Sequence, residues 1–416
     1  MRYLLLLLFT LLCFTVVCQG PVEVDHTVEG FSKSRLDRLN ARMHQYVDNV
    51  QIAGVQTAIM RNGELIHSDT YGLSDIEEKK DLEDNSIWRI YSMTKPIVSV
   101  GLMMLYEQGK FDLNDPVEDY IPAFKNLQVY DAERKMVVPA KHKITIVDLL
   151  THTSGLGYGW GPNTYVDSIY NSVDKWNMKS TKEFTEWVAG QPLYFEPGTA
   201  WRYSVATDVC GHLIEVLSGQ LLDEYLEEHI LLPLKMYDTS FEVPEDKVDR
   251  LVTNYTMTKT GDLAVIDHPK KSRFTSTVTH FSGGGGLLST TKDYLRFCQM
   301  LLNGGRINGV QILSQKTIQL MTRDHSTEVS HGGGPIDLPG HGNGFGLGFS
   351  MITDLAATGA LGSEGAYGWG GAAGTYFRID PKENMIYIMM MQLMPYDHLQ
   401  ARETFQIMVY QALVEE

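Results

Sequence analysis

Trp88-Arg-Ile-Tyr-Ser-Met-Thr-Lys-Pro-Ile97 leads directly into the apolar run Val98-Ser-Val-Gly-Leu-Met-Met-Leu-Tyr106. The run repeats apolar residues at helical spacing and stops at Gly109, a residue that ends helices. Pro96 has no N–H and is comfortable only in a first turn, so the helix begins near Ser92. Residues three apart share a helix face, which sets the Ser92 hydroxyl beside the Lys95 amine. The free N–H groups and positive dipole end of that turn favour negative charge developing next to them. A serine with an adjacent amine at such a place is the layout of an activated nucleophile. The competing reading is an ordinary N-cap serine.

Ser-x-x-Lys does not discriminate by itself, since it recurs at Ser172-Val-Asp-Lys175 and Ser289-Thr-Thr-Lys292. The first lies in a polar stretch with no apolar helix behind it. The second overlaps Thr290-Thr-Lys-Asp293, which reads as the capping box of a helix through Leu302. Only Ser92 opens a buried helix.

Ahead of it, Phe31 to Val50 reads as an amphipathic helix with Leu36, Leu39, Met43 and Val47 on one stripe. Gly54 to Met60 and Leu65 to Tyr71 then flank Arg61-Asn-Gly-Glu64, a strong hairpin signal. From Lys110 to about Lys270 the character changes to prolines and short helices: Thr145-Ile-Val-Asp148 capping a helix to His152, Thr181 to Ala189, Ala206 to Leu217 and Leu221 to Leu231. Gly283 to Gly286 marks the return to strands, as a tight bend or close backbone approach. Apolar runs follow at Gly344 to Met351, Ala373 to Ile379 and Met385 to Leu393, the last two joined by the turn Asp380 to Asn384. A helix after Asp397 closes the chain.

The fold class is therefore α/β of the α+β kind. One antiparallel sheet is built from the N- and C-terminal segments and flanked by helices, with an inserted, mostly helical lobe. Residues 21–110 and 271–416 form the discontinuous α/β lobe, 111–270 the insert, and the two together one catalytic unit.

A composition of 43% hydrophobic and 21% charged residues is that of a globular protein. The net charge of −16, with acidic residues dispersed, argues against nucleic acid and anionic membrane surfaces as partners. Arg2 and the apolar run Leu4 to Val17 have signal-peptide proportions, so residues 1–20 are expected to be removed and the mature chain secreted or periplasmic, without a membrane span. A lipid anchor on Cys18 is the second choice, because bulky Val17 stands where a small residue is wanted. Cys210 and Cys298 remain, read as buried free thiols. Asn254-Tyr-Thr256 is a glycosylation sequon. His325, His331 and His341 lie in one loop without ligand spacing, so no metal or cofactor is expected.

Three further stretches bear on Ser92: Tyr203-Ser-Val205 at a turn entering a helix, Trp369-Gly-Gly-Ala372 approaching a strand, and His152-Thr-Ser-Gly155. Together with Ser92-Met-Thr-Lys95 and the four glycines, in this order, they resemble the serine β-lactamase and penicillin-binding-protein superfamily. The order is most similar to the class C branch and its relatives, the family VIII carboxylesterases. The resemblance implies an acyl-enzyme on Ser92. It makes Tyr203 the base, with its pKa depressed by the Lys95 ammonium, and places an oxyanion hole at the backbone N–H groups of Ser92 and Ala372. Val205, Trp369, Gly370 and Gly371 fall at substrate-binding positions. β-Lactamases of this group carry Asn where Val205 stands and Lys-Thr-Gly in place of Trp369-Gly-Gly. Val and Trp supply neither that donor nor that charge, so the expected activity is esterase action on small acyl esters. The alternatives are a D-amino-acid peptidase, a weak β-lactamase, an acyltransferase, or an inactive ligand-binding domain.

Overall fold

Asn62 and Gly63 form the expected hairpin turn, and the sheet grows from it. In the computed structural model, which describes residues 27–161, 165–327, 329–333, 336 and 338–414, the turn joins β1 (Gly54–Arg61) to β2 (Glu64–Asp75). Its two residues have φ of 53° and 82°, the left-handed pair that matches strand twist. The expected signal segment, residues 1–20, and Cys18 lie outside the described residues.

β3 (Lys80–Asp81) extends one edge. The other edge is built from the far end of the chain: β4 (Asn343–Phe345), β5 (Ser350–Ile352), β6 (Tyr367–Gly370), β7 (Tyr376–Asp380) and β8 (Met385–Met390). The eight strands run in the order β4-β5-β6-β7-β8-β1-β2-β3, all neighbours antiparallel. Every residue of β8 is buried, as its unbroken apolar run requires of a strand covered on both faces. α1 (Lys33–Asp48) and a C-terminal helix (Ala401–Ala412) cover one face, with Leu39, Met43, Tyr387, Met389 and Phe405 in a shared core. On the other face, Phe297 and Met300 of the helix Thr291–Leu302 share a core with Phe377 and Ile388. This is the helix–sheet–helix layering that buries both sheet faces.

Among the described residues, 111–270 contributes no strand to this sheet. It carries helices, including Ile146–Leu150 with both halves of the Thr145–Asp148 capping box, and two separate hairpins. Two expectations change in detail. Leu221 to Leu231 is not one α-helix: Leu222–Leu226 runs into a π-helical turn over Glu227–Leu231. Trp369 does not merely approach a strand but lies within β6.

The helix announced by Ser92 is α2 (Thr94–Glu107), preceded by a 3₁₀ turn over Tyr91–Met93 and closed before Gly109 at φ 69°. Its start is braced from several sides. Ile90 N–H donates to the Leu287 carbonyl (3.2 Å), Leu287 N–H to the Thr94 hydroxyl (3.0 Å), and the Tyr294 hydroxyl to the Met93 carbonyl (2.8 Å). α2 packs along α3 (Ala206–Ser218), which brings the start of one helix to the start of the other. Cys210 and Cys298 are free and buried. Asn254 is buried too, its side-chain amide donating to the Tyr91 hydroxyl, so the sequon asparagine faces inward in the fold.

Candidate active site

Tyr91, the residue before Ser92, has φ 42°, a region bulky L-residues rarely adopt and one that persists only when the surroundings enforce it. The Asn254 amide, 3.0 Å from the Tyr91 hydroxyl, is part of that enforcement. The turn's hydrogen bonds run from Met93 N–H to the Ile90 carbonyl and from Thr94 N–H to the Tyr91 carbonyl, passing over the Ser92 amide. The Ser92 hydroxyl caps no helix, because the N-cap of α2 is Met93 and has no side-chain bond. The ordinary N-cap reading falls away.

Lys95 is almost completely buried. Its Nζ lies 3.4 Å from Ser92 Oγ, 2.9 Å from the Tyr158 hydroxyl and 2.7 Å from the Gly284 carbonyl. Burial pulls its pKa from 10.5 down to about 7, with the Asp208 carboxylate opposing. A neutral amine has two N–H groups and one lone pair. The carbonyl and the phenol oxygen take the two hydrogens, and the lone pair is left for the Ser92 hydroxyl.

Tyr203 is hydrogen-bonded to Ser92, and its hydroxyl also receives the Trp369 indole N–H at 3.3 Å. Its ring lies 4.4 Å from Lys95 Nζ. The expected depression of its pKa is not found. Burial raises it, and the bonds to Ser92 and Trp369 only moderate the rise. The ring is enclosed by Tyr158, Trp160, Trp201 and Trp369, and the lysine that was to stabilise a phenolate itself loses its charge on passing through neutrality. Trp369 also needs correcting as a residue without a donor: it has one, committed to Tyr203.

His152-Thr-Ser-Gly155 supports Tyr203 from behind. Arg202 N–H donates to the His152 carbonyl (2.9 Å), the His152 Nδ1 pairs with the Ser204 hydroxyl (3.0 Å), and its ring sits 4.9 Å from that of Tyr203. Burial holds the imidazole pKa well below its ordinary range, so it stays neutral.

The four glycines are a close backbone approach. A Cβ on Gly283 would lie 2.5 Å from the Thr207 carbonyl oxygen, and one on Gly284 2.3 Å from Asp208 Oδ2. Asp208 accepts from the Ser282 hydroxyl (2.5 Å) and from Gly284 N–H (3.1 Å). It thereby fixes the loop whose Gly284 carbonyl holds Lys95. Asp208 and Tyr158 are absent from the sequence reading. The available signal for Asp208 was a lone carboxylate in the apolar stretch Ala206-Thr-Asp-Val-Cys.

On the opposite wall, β6 ends against the nucleophile turn. A Cβ on Gly371 would stand 2.4 Å from the Ile90 carbonyl oxygen and one on Gly370 2.5 Å from the Arg402 guanidinium. Gly371 N–H donates to the Thr375 carbonyl and Gly374 N–H to Gly371, a pattern that leaves out the Ala372 amide. Ser92 and Ala372 line both of two adjoining cavities. The larger, about 670 Å³, includes Val205, and the smaller, about 500 Å³, includes Tyr203, Trp369, Gly370 and Gly371. All the residues expected at the site thus meet in one cleft. Among the described residues, no group of three or more His, Cys, Asp or Glu side chains is placed to hold a metal ion.

The family described as Beta-lactamase matches residues 39–411. An uncharacterized protein of Mycobacterium tuberculosis is 32% identical over 378 residues, covering 86% of this chain and 90% of its own. Esterase EstB of Burkholderia gladioli is 28% identical over 363 residues, covering 82% and 86%. Among solved structures, EstCE1, described as a hydrolase with promiscuous acyltransferase activity, superimposes with a TM-score of 0.77 at 25% identity, over 91% of this chain and 99% of its own. Simvastatin synthase (LovD) from Aspergillus terreus shares the fold, with a TM-score of 0.74 at 21% identity over 90% and 98%. With a buried lysine turned onto an uncapped serine at the head of α2, and a family match spanning both ends of the sheet, the chain belongs to the beta-lactamase family and is a serine hydrolase.

Proposed function

We propose that the protein hydrolyses small acyl esters through an acyl-enzyme on Ser92, with Lys95 as the base. The observation that carries this is the Lys95 amine, buried, titrating at about 7, and 3.4 Å from Ser92 Oγ with its other two contacts already filled. Ser92 Oγ attacks the ester carbonyl while its proton passes to the Lys95 lone pair. The carbonyl oxygen becomes an oxyanion between the Ser92 and Ala372 amides, a kind of contact whose loss costs about 10²–10³ in rate. As the C–O bond to the alcohol breaks, that oxygen takes a proton from the Tyr203 hydroxyl, and the Lys95 ammonium, whose Nζ lies 4.4 Å from the Tyr203 ring, gives Tyr203 the proton it took from Ser92. Water then attacks the acyl carbon and gives a proton to Lys95; as the bond to Ser92 Oγ breaks and the acid is released, Lys95 returns that proton to Oγ and the enzyme is restored. Tyr203 is a neutral proton carrier in this scheme and never a standing phenolate, in line with its burial.

Esterase EstB supports the ester as substrate class. Val205 and Trp369 favour an ester over a β-lactam. A second reading, acyl transfer to an alcohol in place of water, is favoured by the two cavities that meet at Ser92, since acyl group and acceptor can be held at once.

The test is labelling with a fluorophosphonate, followed by location of the adduct by mass spectrometry and assay of Ser92→Ala. The adduct is expected on Ser92. The variant should lose ester turnover while its stability stays within about 0.5 kcal/mol, because the hydroxyl caps nothing. Labelling elsewhere, or near-wild-type turnover by folded Ser92→Ala, sinks the assignment.

A further inference from the structure

The larger cavity is walled chiefly by apolar side chains, among them Trp160, Trp176, Phe184, Val205, Ile266 and Met394. Into this wall the fold sets a guanidinium with nothing to bind. Among the described residues, Arg273 has neither a hydrogen-bond acceptor nor a carboxylate at ion-pair distance. Its guanidinium carbon sits over the Trp176 ring, 3.1 Å from the centroid, and 4.4 Å from that of Phe274. A stacked guanidinium keeps its in-plane N–H edge free, the edge that matches a carboxylate.

The carboxylates that act on Arg273 through space are already engaged. Asp267 gives both oxygens to Arg89, at 2.8 and 2.9 Å. Asp174 accepts from Trp176 N–H (3.1 Å) and the Asn177 amide (2.7 Å). Lys175, on the same wall, donates to the Tyr158 carbonyl (2.5 Å) and pairs with no carboxylate among the described residues. Asp208, the other acid in the lining, is held by Ser282 and Gly284. In a chain of net charge −16, this cavity has positive charge left over.

The smaller cavity is the useful contrast. It also holds two arginines, but Arg402 is bonded to the Gly371 and Thr375 carbonyls, and Arg378 to Ser350 and the Tyr376 hydroxyl. Arg402 Nη2 and Arg378 Nε and Nη1 thus serve the strands, while Arg402 Nε is buried without a partner among the described residues. Arg273 differs in having no hydrogen-bonded donor at all among the described residues, whereas each arginine of the smaller cavity is anchored through part of its guanidinium. Burial lowers both Arg273, to about 10, and Lys175, as expected of charges lacking a counter-ion.

We propose that the larger cavity receives the anionic end of the substrate: an ester carrying a carboxylate some bonds away from the scissile carbonyl, with that carboxylate on Arg273 and Lys175 on the same wall. This rests on the esterase reading and narrows it from small acyl esters to carboxylate-bearing ones. The apolar wall suits the methylene or aromatic spacer between the two groups.

The experiment compares kcat/KM for two pairs of esters on the intact protein. One pair is mono-p-nitrophenyl glutarate and its terminal primary amide, with the charge on the acyl side. The other is 3-carboxy-4-nitrophenyl butyrate and its primary amide, with the charge on the alcohol side. One acid is expected to exceed its amide by on the order of tenfold, the scale of a charge-assisted contact. Whichever pair shows this tells which half of the ester enters the cavity. Arg273→Met should erase most of the preference, chiefly through KM of the acid, and Arg273→Lys should keep part of it. Equal rates within both wild-type pairs overturn the proposal without any variant being needed. So does an Arg273→Met protein that slows acid and amide alike, which would make Arg273 a wall and not a ligand contact. Turnover of none of the four esters would instead remove the esterase reading itself.

Discussion

Lys95 is a charged residue type placed where charge is unwelcome, and that sets both the chemistry and a stability penalty. Its folded pKa of about 7 lies below the 10.5 of an exposed lysine, so between those values the unfolded chain binds the extra proton. Stability contributed by this site is therefore lost as pH falls through that window, and the full penalty stands below pH 7. A shift of this size corresponds to a few kcal/mol, at roughly 1.4 kcal/mol per unit. Lys95→Met should accordingly abolish turnover yet melt higher than the parent at pH 6, with the gap closing toward pH 10. Melting curves at the two pH values check this, and a gap equal at both would show that the lysine's charge is not what costs stability. The same titration predicts that kcat/KM for a neutral ester rises with pH through about 7, as the free enzyme's amine loses its proton. A rate flat from pH 5.5 to 8.5 would exclude Lys95 as the base. Tyr203 gives no such limb, since burial carries its titration out of the working range.

At the scale of elements, the cleft depends on how tightly the end of β6 meets the turn before α2. Gly371 is where they touch: a methyl there would be 2.4 Å from the Ile90 carbonyl oxygen and 2.2 Å from the Thr375 hydroxyl. Gly371→Ala must push the strand end away, and with it the Ala372 amide, or displace Ser92. Overpacking of this kind costs about 1–3 kcal/mol. The larger effect should be on kcat, at least tenfold for a p-nitrophenyl ester, because the oxyanion contact is made in the transition state. Wild-type kcat in Gly371→Ala would show that the Ala372 amide plays no part. The sequence revealed this junction only partly. The Asn62-Gly63 turn, the Thr145 cap and the α2 pattern were legible because their causes lie within a few residues of one another. Glycines at 283–286 and 370–371 announced close approach, but not what was approached. Asp208 and Tyr158 escaped because their partners, Gly284 and Lys95, are 76 and 63 residues away. The inverted protonation of Lys95 and Tyr203 escaped for a related reason: burial belongs to the assembled fold, and no local pattern records it.

The whole molecule closes a sheet from both ends of the chain and sets the cleft beside it, where α2, the turn before α3 and the end of β6 converge. That arrangement gives each side of the cleft its own charge pattern, and the difference decides between substrates. A β-lactam holds its carboxylate rigidly next to the scissile amide, on the side where β-lactamases of the class C branch carry Lys-Thr-Gly and this chain has Trp369-Gly370-Gly371. Trp369 offers an indole N–H, but that hydrogen is bonded to Tyr203. Arg378 and Arg402 lie in the same cavity, but they are bonded to Ser350, Tyr376 and strand carbonyls. Their bonded N–H groups could serve a ligand only by releasing contacts that shape the end of β6 ahead of Ala372. Hydrogen bonds to charged groups contribute about 1.5–3 kcal/mol, so lacking one should cost roughly one to two orders of magnitude in kcat/KM. A flexible ester leaves no such group stranded beside Trp369. We therefore expect p-nitrophenyl butyrate to be turned over, and a chromogenic cephalosporin to be turned over far more slowly or not at all, on the same preparation. If the cephalosporin proves the better substrate, Arg378 or Arg402 must be supplying the positive charge that Trp369 lacks, and the ester assignment fails with it.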